Sequence, residues 1–115
     1  MSPPAARLAR ARVPVAPRPA IATDPVRAAH LAEVLKAVAH PLRLRIVAIL
    51  VEGDAHVTAL AERLGAGQAI VSQQLRILRH HGLVAADREG GFATYRLVER
   101  NLAGLVGCME RCGRA

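Results

Sequence analysis

Residues 57–84 read VTALAERLGAGQAIVSQQLRILRHHGLV. A short helical pattern is followed by Gly65-Ala66-Gly67 and then by a longer helical pattern, from about Gln68 to His81, with one apolar and one polar side. Two helices joined by a short glycine-containing turn are typical of a helix-turn-helix, whose second helix enters the major groove of DNA. This stretch predicts such a unit, and the flanking segments are interpreted around it.

The second helix of this unit carries the side chains that we predict to contact DNA. At 100° per residue, Ile70, Val71, Leu75, Ile77 and Leu78 fall on one side and are expected to pack on the preceding helices, with Gln74 buried or at an interface. Side-chain amides can form hydrogen bonds with adenine, arginine with guanine, and serine with either base, and the alanine methyl group can contact the methyl group of thymine. A solvated polar face is the alternative, but the preceding short helix and glycine turn favour DNA. The predicted DNA-binding residues on the polar side are Gln68, Ala69, Ser72, Gln73 and Arg76, beside His80.

The residues after this helix predict a β-hairpin. Residues 83–87 and 92–97 have strand composition, and Gly90-Gly91 supplies the turn. A hairpin at this point corresponds to the wing of a winged helix. We predict that Arg88 and Arg96 contact phosphates or the minor groove, and solvent-facing strand positions are the alternative.

Two helices are predicted before this unit, preceded by a basic arm. Asp24-Pro25 begins the first helix, and His40-Pro41 separates it from the second, in which Arg43 and Arg45 are left for solvent or phosphates. Residues 1–23 hold five of the seven prolines and four arginines, so we predict a disordered arm, which either contacts DNA phosphates or is a solvated tail. The remaining residues, 24–115, form the predicted DNA-binding and dimerisation domain.

The last predicted helix, from Glu99 to Gly113, has an apolar stripe with no later element to cover it. Together with the first helix it is therefore a candidate dimer interface. The residues predicted for this interface are Leu31, Leu35, Leu102, Leu105, Val106 and Met109.

Composition narrows the class of protein. The net charge of +7 favours a polyanionic partner, and with aromatics at only 2% the core must be aliphatic. The sequence has no apolar run of the roughly 18 residues that a membrane span requires, and no apolar stretch typical of a secretory signal, so we expect a cytoplasmic protein without a membrane partner. No nucleophile–base pair, phosphate-binding loop or paired carboxylates are recognisable, which argues against an enzyme.

From Leu31 onward, the order of elements and the residues themselves resemble the ArsR/SmtB family of winged-helix repressors. The resemblance is carried by LKAVAHPLRLRIVAIL (35–50), LAERLGAGQAIVSQQLRILRHHGLV (60–84) and YRL (95–97). It implies a mainly α-helical fold of five helices plus a wing, and a homodimer that binds an inverted-repeat operator in double-stranded DNA and represses it. It also implies an inducer, usually a thiophilic or transition metal ion, that lowers DNA affinity.

The inducer site departs from the family patterns. The position of the arsenic-type Cys-x-Cys pair is occupied by residues 56–58, His-Val-Thr. In the zinc-type pattern Glu99 matches the first ligand, but Asn101, Cys112 and Ala115 replace the other three. The second helix lacks the cysteine of persulfide-sensing members.

Cys108 and Cys112 are the remaining candidates for inducer sensing. On a helix, the i, i+4 spacing places their Cβ atoms about 5–6 Å apart, which suits one soft ion and is wide for a disulfide. We predict a thiophilic metal site for zinc, cadmium, copper or an arsenic-type ion at Cys108 and Cys112, with Glu99 or His30 of a second copy as a third ligand. The alternatives are a redox- or persulfide-responsive repressor, or cysteines with no sensing role. A winged-helix protein-interaction module without an operator is the alternative from another class.

Overall fold

The computed structural model describes residues 20–113, so most of the predicted arm, residues 1–19, and the last two residues lie outside it. Ile21–Thr23, which the sequence placed in the arm, forms one 3-10 turn. The elements that follow are α1 (Pro25–Val38), α2 (Pro41–Glu52), β1 (Ala55–His56), α3 (Val57–Leu64), α4 (Gln68–His80), β2 (Val84–Glu89), β3 (Phe92–Leu97) and α5 (Leu102–Arg111). Within the described residues this is the predicted winged helix-turn-helix of five helices and a hairpin.

Local sequence signals fix where the first helices begin. The Asp24 carboxylate accepts a hydrogen bond from the backbone N–H of Arg27 at 3.0 Å and caps α1. At α2 the cap is His40, whose Nδ1 accepts a hydrogen bond from the backbone N–H of Leu42 at 3.1 Å. Both helices have proline at their first position, where the missing N–H costs no hydrogen bond.

The core is aliphatic, as the composition predicted, and its centre lies where α2, α3 and α4 meet the base of the hairpin. Its fully buried large side chains are Ile46, Val47, Leu50, Leu60, Val71, Leu75, Leu78, Leu83 and Val84. Two residues predicted for the packed side of α4 are outside it, because Ile70 is 52% exposed and Ile77 is only partly buried. On the helical wheel Ile70 is about 80° from the nearest of the three fully buried α4 side chains, Leu78, which places it beyond the packed face.

The three strands form an antiparallel sheet in the order β1-β3-β2. Gly90 and Gly91 have φ of 57° and 85°, the positive values that a tight two-residue hairpin turn requires. The pairing of Ala55 with Tyr95 and of His56 with Thr94 adds β1 to the hairpin. This two-residue strand was not predicted, since it is too short to show an alternating pattern.

Helix α5 is shorter and better covered than the sequence suggested. Glu99 precedes it and accepts hydrogen bonds from the backbone and side-chain nitrogens of Asn101. Leu102 and Val106 are buried because the earlier helix α2 packs on α5, so part of the stripe that was expected to be free for a partner is covered within the protomer. Of the predicted interface residues, Leu35 and Met109 are exposed, whereas Leu31 and Leu105 are partly buried. Among residues 20–113 no helix has the length and apolar character to cross a membrane.

Candidate nucleic-acid interface

Helix α4 presents the predicted reading residues on its outer side. Val71, Leu75 and Leu78 are completely buried and hold the helix against the core. Ser72 is partly buried, and the other predicted reading residues of α4 are exposed, namely Gln68, Ala69, Gln73 and Arg76. The amphipathic orientation predicted for this helix is confirmed, and its polar side chains are accessible to a ligand.

A cavity of about 260 Å³ lies between α4 and the hairpin. We call it the basic cleft, and its lining residues are Ser72, Arg76, Arg79, Arg88 and Tyr95. Three arginines, a serine and a tyrosine therefore line one small space.

The strand register explains why Arg88 belongs to the cleft. Directly opposed residues of antiparallel strands share a face, and the pairs Val84–Leu97 and Arg88–Ala93 are an even number of residues apart along each strand. Val84 and Leu97 are buried, so their face is the one turned toward the core. Arg88 extends from the same face near the hairpin turn, where it lies beside the exposed flank of α4.

The charges in the basic cleft are uncompensated within the described part of the chain. Over residues 20–113 the ion pairs are Lys36–Glu33, Arg63–Glu52 and Arg96–Asp87, and none involves a cleft arginine. Guanidinium groups stay charged at physiological pH and offer planar sets of donors that match phosphate oxygens. The cleft is thus suited to an anion that has several acceptor oxygens.

A second cavity, of about 360 Å³, continues the cleft toward the start of α4. It shares Ser72, Arg88 and Tyr95 with the basic cleft and also reaches Gln68. Its other lining residues are His56, Val57, Thr58, Gly91, Phe92 and Ala93. The two cavities form one trough along α4, bordered by the hairpin.

Arg96 is not brought to the basic cleft. It lies on the opposite face of the hairpin, where its Nε donates to Oδ2 of Asp87 at 2.9 Å. Of the two arginines predicted for the wing, only Arg88 faces α4.

Two cleft residues, Arg79 and Tyr95, were missed from the sequence. Arg79 falls about 20° from Ser72 on the helical wheel, so the wheel contained the signal that could have identified it. Tyr95 shares the face of Arg88 through its pairing with Ala86, which depends on the hairpin register.

The two cysteines lie far from this trough in sequence, at the end of α5. Both are free and exposed. Cys112 is the C-cap residue that directly follows the last helical residue, and its φ of −89° and ψ of 152° turn the chain out of the helix only after this position. Glu99 lies beyond the other end of α5, whose ten residues span about 15 Å.

Thiols are the donors that soft metal ions prefer, so the donor type fits a thiophilic ion. The number of available ligands does not fit a metal site, because residues 20–113 of a single protomer contain no group of three or more His, Cys, Asp or Glu side chains placed to hold a metal. A complete metal site would require a ligand from outside the protomer.

Comparison with known proteins gives a consistent result. The family model described as "Bacterial regulatory protein, arsR family" matches residues 40–86. The HTH-type transcriptional regulator NmtR of Mycobacterium tuberculosis is 44% identical over 89 residues, which cover 77% of this chain and 74% of that protein.

Solved structures agree with this match. The crystal structure of the transcriptional repressor BigR from Xylella fastidiosa has a TM-score of 0.70 and 40% identity, covering 76% of this chain and 92% of that one. A homodimeric winged helix-turn-helix DNA-binding domain from Mycobacterium bovis has a TM-score of 0.67 and 30% identity, covering 84% and 87%. Their names and titles describe regulators of transcription or DNA-binding domains.

Proposed function

Because the chain belongs to the arsR family of bacterial regulatory proteins, we propose that it is a dimeric repressor that binds an inverted-repeat DNA operator and leaves it when an inducer binds. The observation that carries this proposal is the basic cleft between α4 and the wing. Three guanidinium groups without an ion-pair partner among residues 20–113, beside the exposed amides of Gln68 and Gln73 and the partly buried hydroxyl of Ser72, match the phosphates and base edges of a duplex.

The contacts divide into two kinds. Gln68, Ala69, Ser72, Gln73 and Arg76 are proposed to face base edges in the major groove, where their chemistry discriminates between base pairs. Arg79 and Arg88 are proposed to bind the backbone, since they lie toward the wing, and Arg96 adds a weaker contact because Asp87 already neutralises part of its charge.

Dimerisation is proposed through the exposed parts of α1 and α5. Val26, Leu35 and Met109 are large hydrophobic residues of these two helices that are 81%, 52% and 48% exposed, so they are available to a second copy. The Mycobacterium bovis relative is itself described as homodimeric. Two symmetric copies of α4 would read half-sites about 10 base pairs apart.

DNA binding is tested by selecting sites from random duplex DNA with the purified full chain and then titrating salt. We expect an inverted repeat to be enriched, and its affinity to fall steeply with salt because bound phosphates release counterions. No enrichment, or an affinity that is flat with salt, would instead favour the protein-interaction module.

The inducer is proposed to act at Cys108 and Cys112. A soft metal ion held by the two thiols and by Glu99 of a second copy is the first candidate, and oxidation or persulfidation of the exposed thiols is the second. In either case an inducer that prefers the poorly binding conformation lowers operator affinity through a coupling of about 1–3 kcal/mol, or roughly 5–150-fold.

Operator binding should be titrated against zinc, cadmium, arsenite, copper and a persulfide donor. The wild type is compared with Cys108→Ser/Cys112→Ser. Release by a metal identifies the first candidate and release by the persulfide donor the second. A double variant that responds like the wild type removes the cysteines from the mechanism.

A further inference from the structure

One arginine connects three helices, including the reading helix α4, through side-chain hydrogen bonds. Arg43, in the first turn of α2, is partly buried, and its Nη1 donates to Oε1 of Gln74 in α4 at 2.8 Å. Its Nε donates to the backbone carbonyl of Ala37 in the last turn of α1. The sequence had left this side chain for solvent or phosphates, whereas the structure turns it inward.

Gln74 lies where it can resist rotation of α4 about its own axis. Val71, Leu75 and Leu78 are fully buried, so they fix how closely the helix packs. Apolar contacts are non-directional, whereas a hydrogen bond requires a defined distance and angle. Gln74 is about 40° beyond Leu78 on the helical wheel, at the edge of the packed face, where rotation would change the distance to Arg43 most directly.

A small rotation would be enough to misplace the reading side chains. The side chains of a helix extend to about 6 Å from its axis, so a turn of about 15° moves their ends by about 1.5 Å. Hydrogen bonds to base edges span only about 2.7–3.2 Å and weaken steeply beyond that range. Long arginine side chains that bind phosphates can follow such a movement, whereas base contacts cannot.

We propose that Arg43 is a positioning residue that sets the rotational orientation of α4 through Gln74. The Arg43–Gln74 pair then has a larger effect on discrimination between DNA sequences than on the general affinity for DNA. The bond from Arg43 to the Ala37 carbonyl extends the same constraint to α1. The inference rests on the proposed function, because it concerns how the reading helix is presented to DNA.

A purely structural role for the pair makes a different prediction. A partly buried hydrogen bond from a charged donor also stabilises the fold, so losing it lowers stability in either case. Only the positioning role predicts that the folded protein loses its preference for the selected site. The decisive quantity is the ratio of the dissociation constants for scrambled and selected DNA.

The test compares three variants of the full chain. Gln74→Met keeps the side-chain length but removes the acceptor, Gln74→Glu keeps an acceptor, and Glu52→Met is the control. The control also breaks a hydrogen bond from an arginine between two helices, Arg63 Nη1 to Glu52 Oε1 at 3.0 Å, but at an exposed site. Binding is measured well below the melting temperature, with folding verified by circular dichroism.

Gln74→Met should lower the ratio by about tenfold, which is within the discrimination attributed to one base contact. Gln74→Glu should restore the ratio of dissociation constants to within about twofold of the wild-type value, and Glu52→Met should leave the ratio unchanged. A folded Gln74→Met that melts earlier but keeps the full ratio overturns the inference. If Gln74→Met does not fold, Arg43→Lys, which keeps the charge but loses the planar fork of donors, takes its place under the same criterion. A wild type that shows no preference for any site overturns the proposed function, a result distinct from a preference that survives in the variants.

Discussion

Replacing Arg88 by glutamine should change how strongly salt weakens DNA binding. Arg88 faces α4 across the basic cleft and has no carboxylate partner within residues 20–113. Its charge is therefore available to a phosphate. Glutamine keeps the polarity of the side chain but removes that charge.

The expected magnitude follows from counterion release. Each phosphate contact contributes about 0.9 to the slope of log affinity against log salt, and a dimer contains two copies of Arg88, so the slope should fall by about 1.8. Between 50 and 200 mM salt, a fourfold range, this difference corresponds to about a tenfold smaller loss of affinity for the variant. Random and selected DNA should show the same change, because phosphates carry no sequence information.

The assay is a fluorescence anisotropy titration at several salt concentrations with both kinds of DNA. Arg96→Gln is the matched comparison, since it removes an arginine from the same hairpin but from the opposite face, where Asp87 already pairs with it. We expect a clearly smaller change in slope. Equal changes for the two variants, or no change for Arg88→Gln, would refute the assignment of Arg88 to the phosphate backbone.

Three further predictions concern stability. Leu75→Ala should lower the free energy of unfolding by about 2–5 kcal/mol in urea denaturation, because Leu75 is fully buried, whereas exposed Ile70→Ala should cost less than about 1 kcal/mol. Gly65→Ala should lower the free energy of unfolding by about 1–2 kcal/mol, because Gly65 has a φ of +62° that alanine adopts with strain, even though the space around it is open. Gly67→Ala should lower it by less than about 1 kcal/mol, because Gly67 has a φ of −64°. Equal melting temperatures for the two variants would contradict this difference. Asp24→Ala should lose about 1 kcal/mol of the α1 cap while Asp24→Asn retains it, as measured by thermal unfolding.

The features that the sequence predicted are those determined by local spacing. Proline and glycine positions located the starts of α1 and α2 and the turn between α3 and α4, and the apolar spacing of Val71, Leu75 and Leu78 oriented α4 correctly. The double glycine of the hairpin turn needed no tertiary information either. These signals act over a few residues, and the surrounding fold did not override them.

The features that were missed depend on contacts between distant segments. Arg43 looked like a surface residue because its partner Gln74 is 31 positions away. The cover over α5 is provided by α2, so Leu102 and Val106 seemed free when only their own helix was considered. For the same reason β1 had no signal of its own, since its two residues become a strand only by pairing with β3.

The strand β1 also determines which part of the wing can adapt. It directly precedes α3 and pairs with β3 at Tyr95 and Thr94, so the inner half of the hairpin is attached to the helix-turn-helix. From Glu89 to Phe92 the hairpin has no strand pairing beyond its own two strands, although the Phe92 ring lies 6.0 Å from the ring of His56 in β1. Strand pairing therefore ties the base of the wing, and not its tip, to the helix-turn-helix, and we expect the tip to shift more readily than the base when the wing meets DNA.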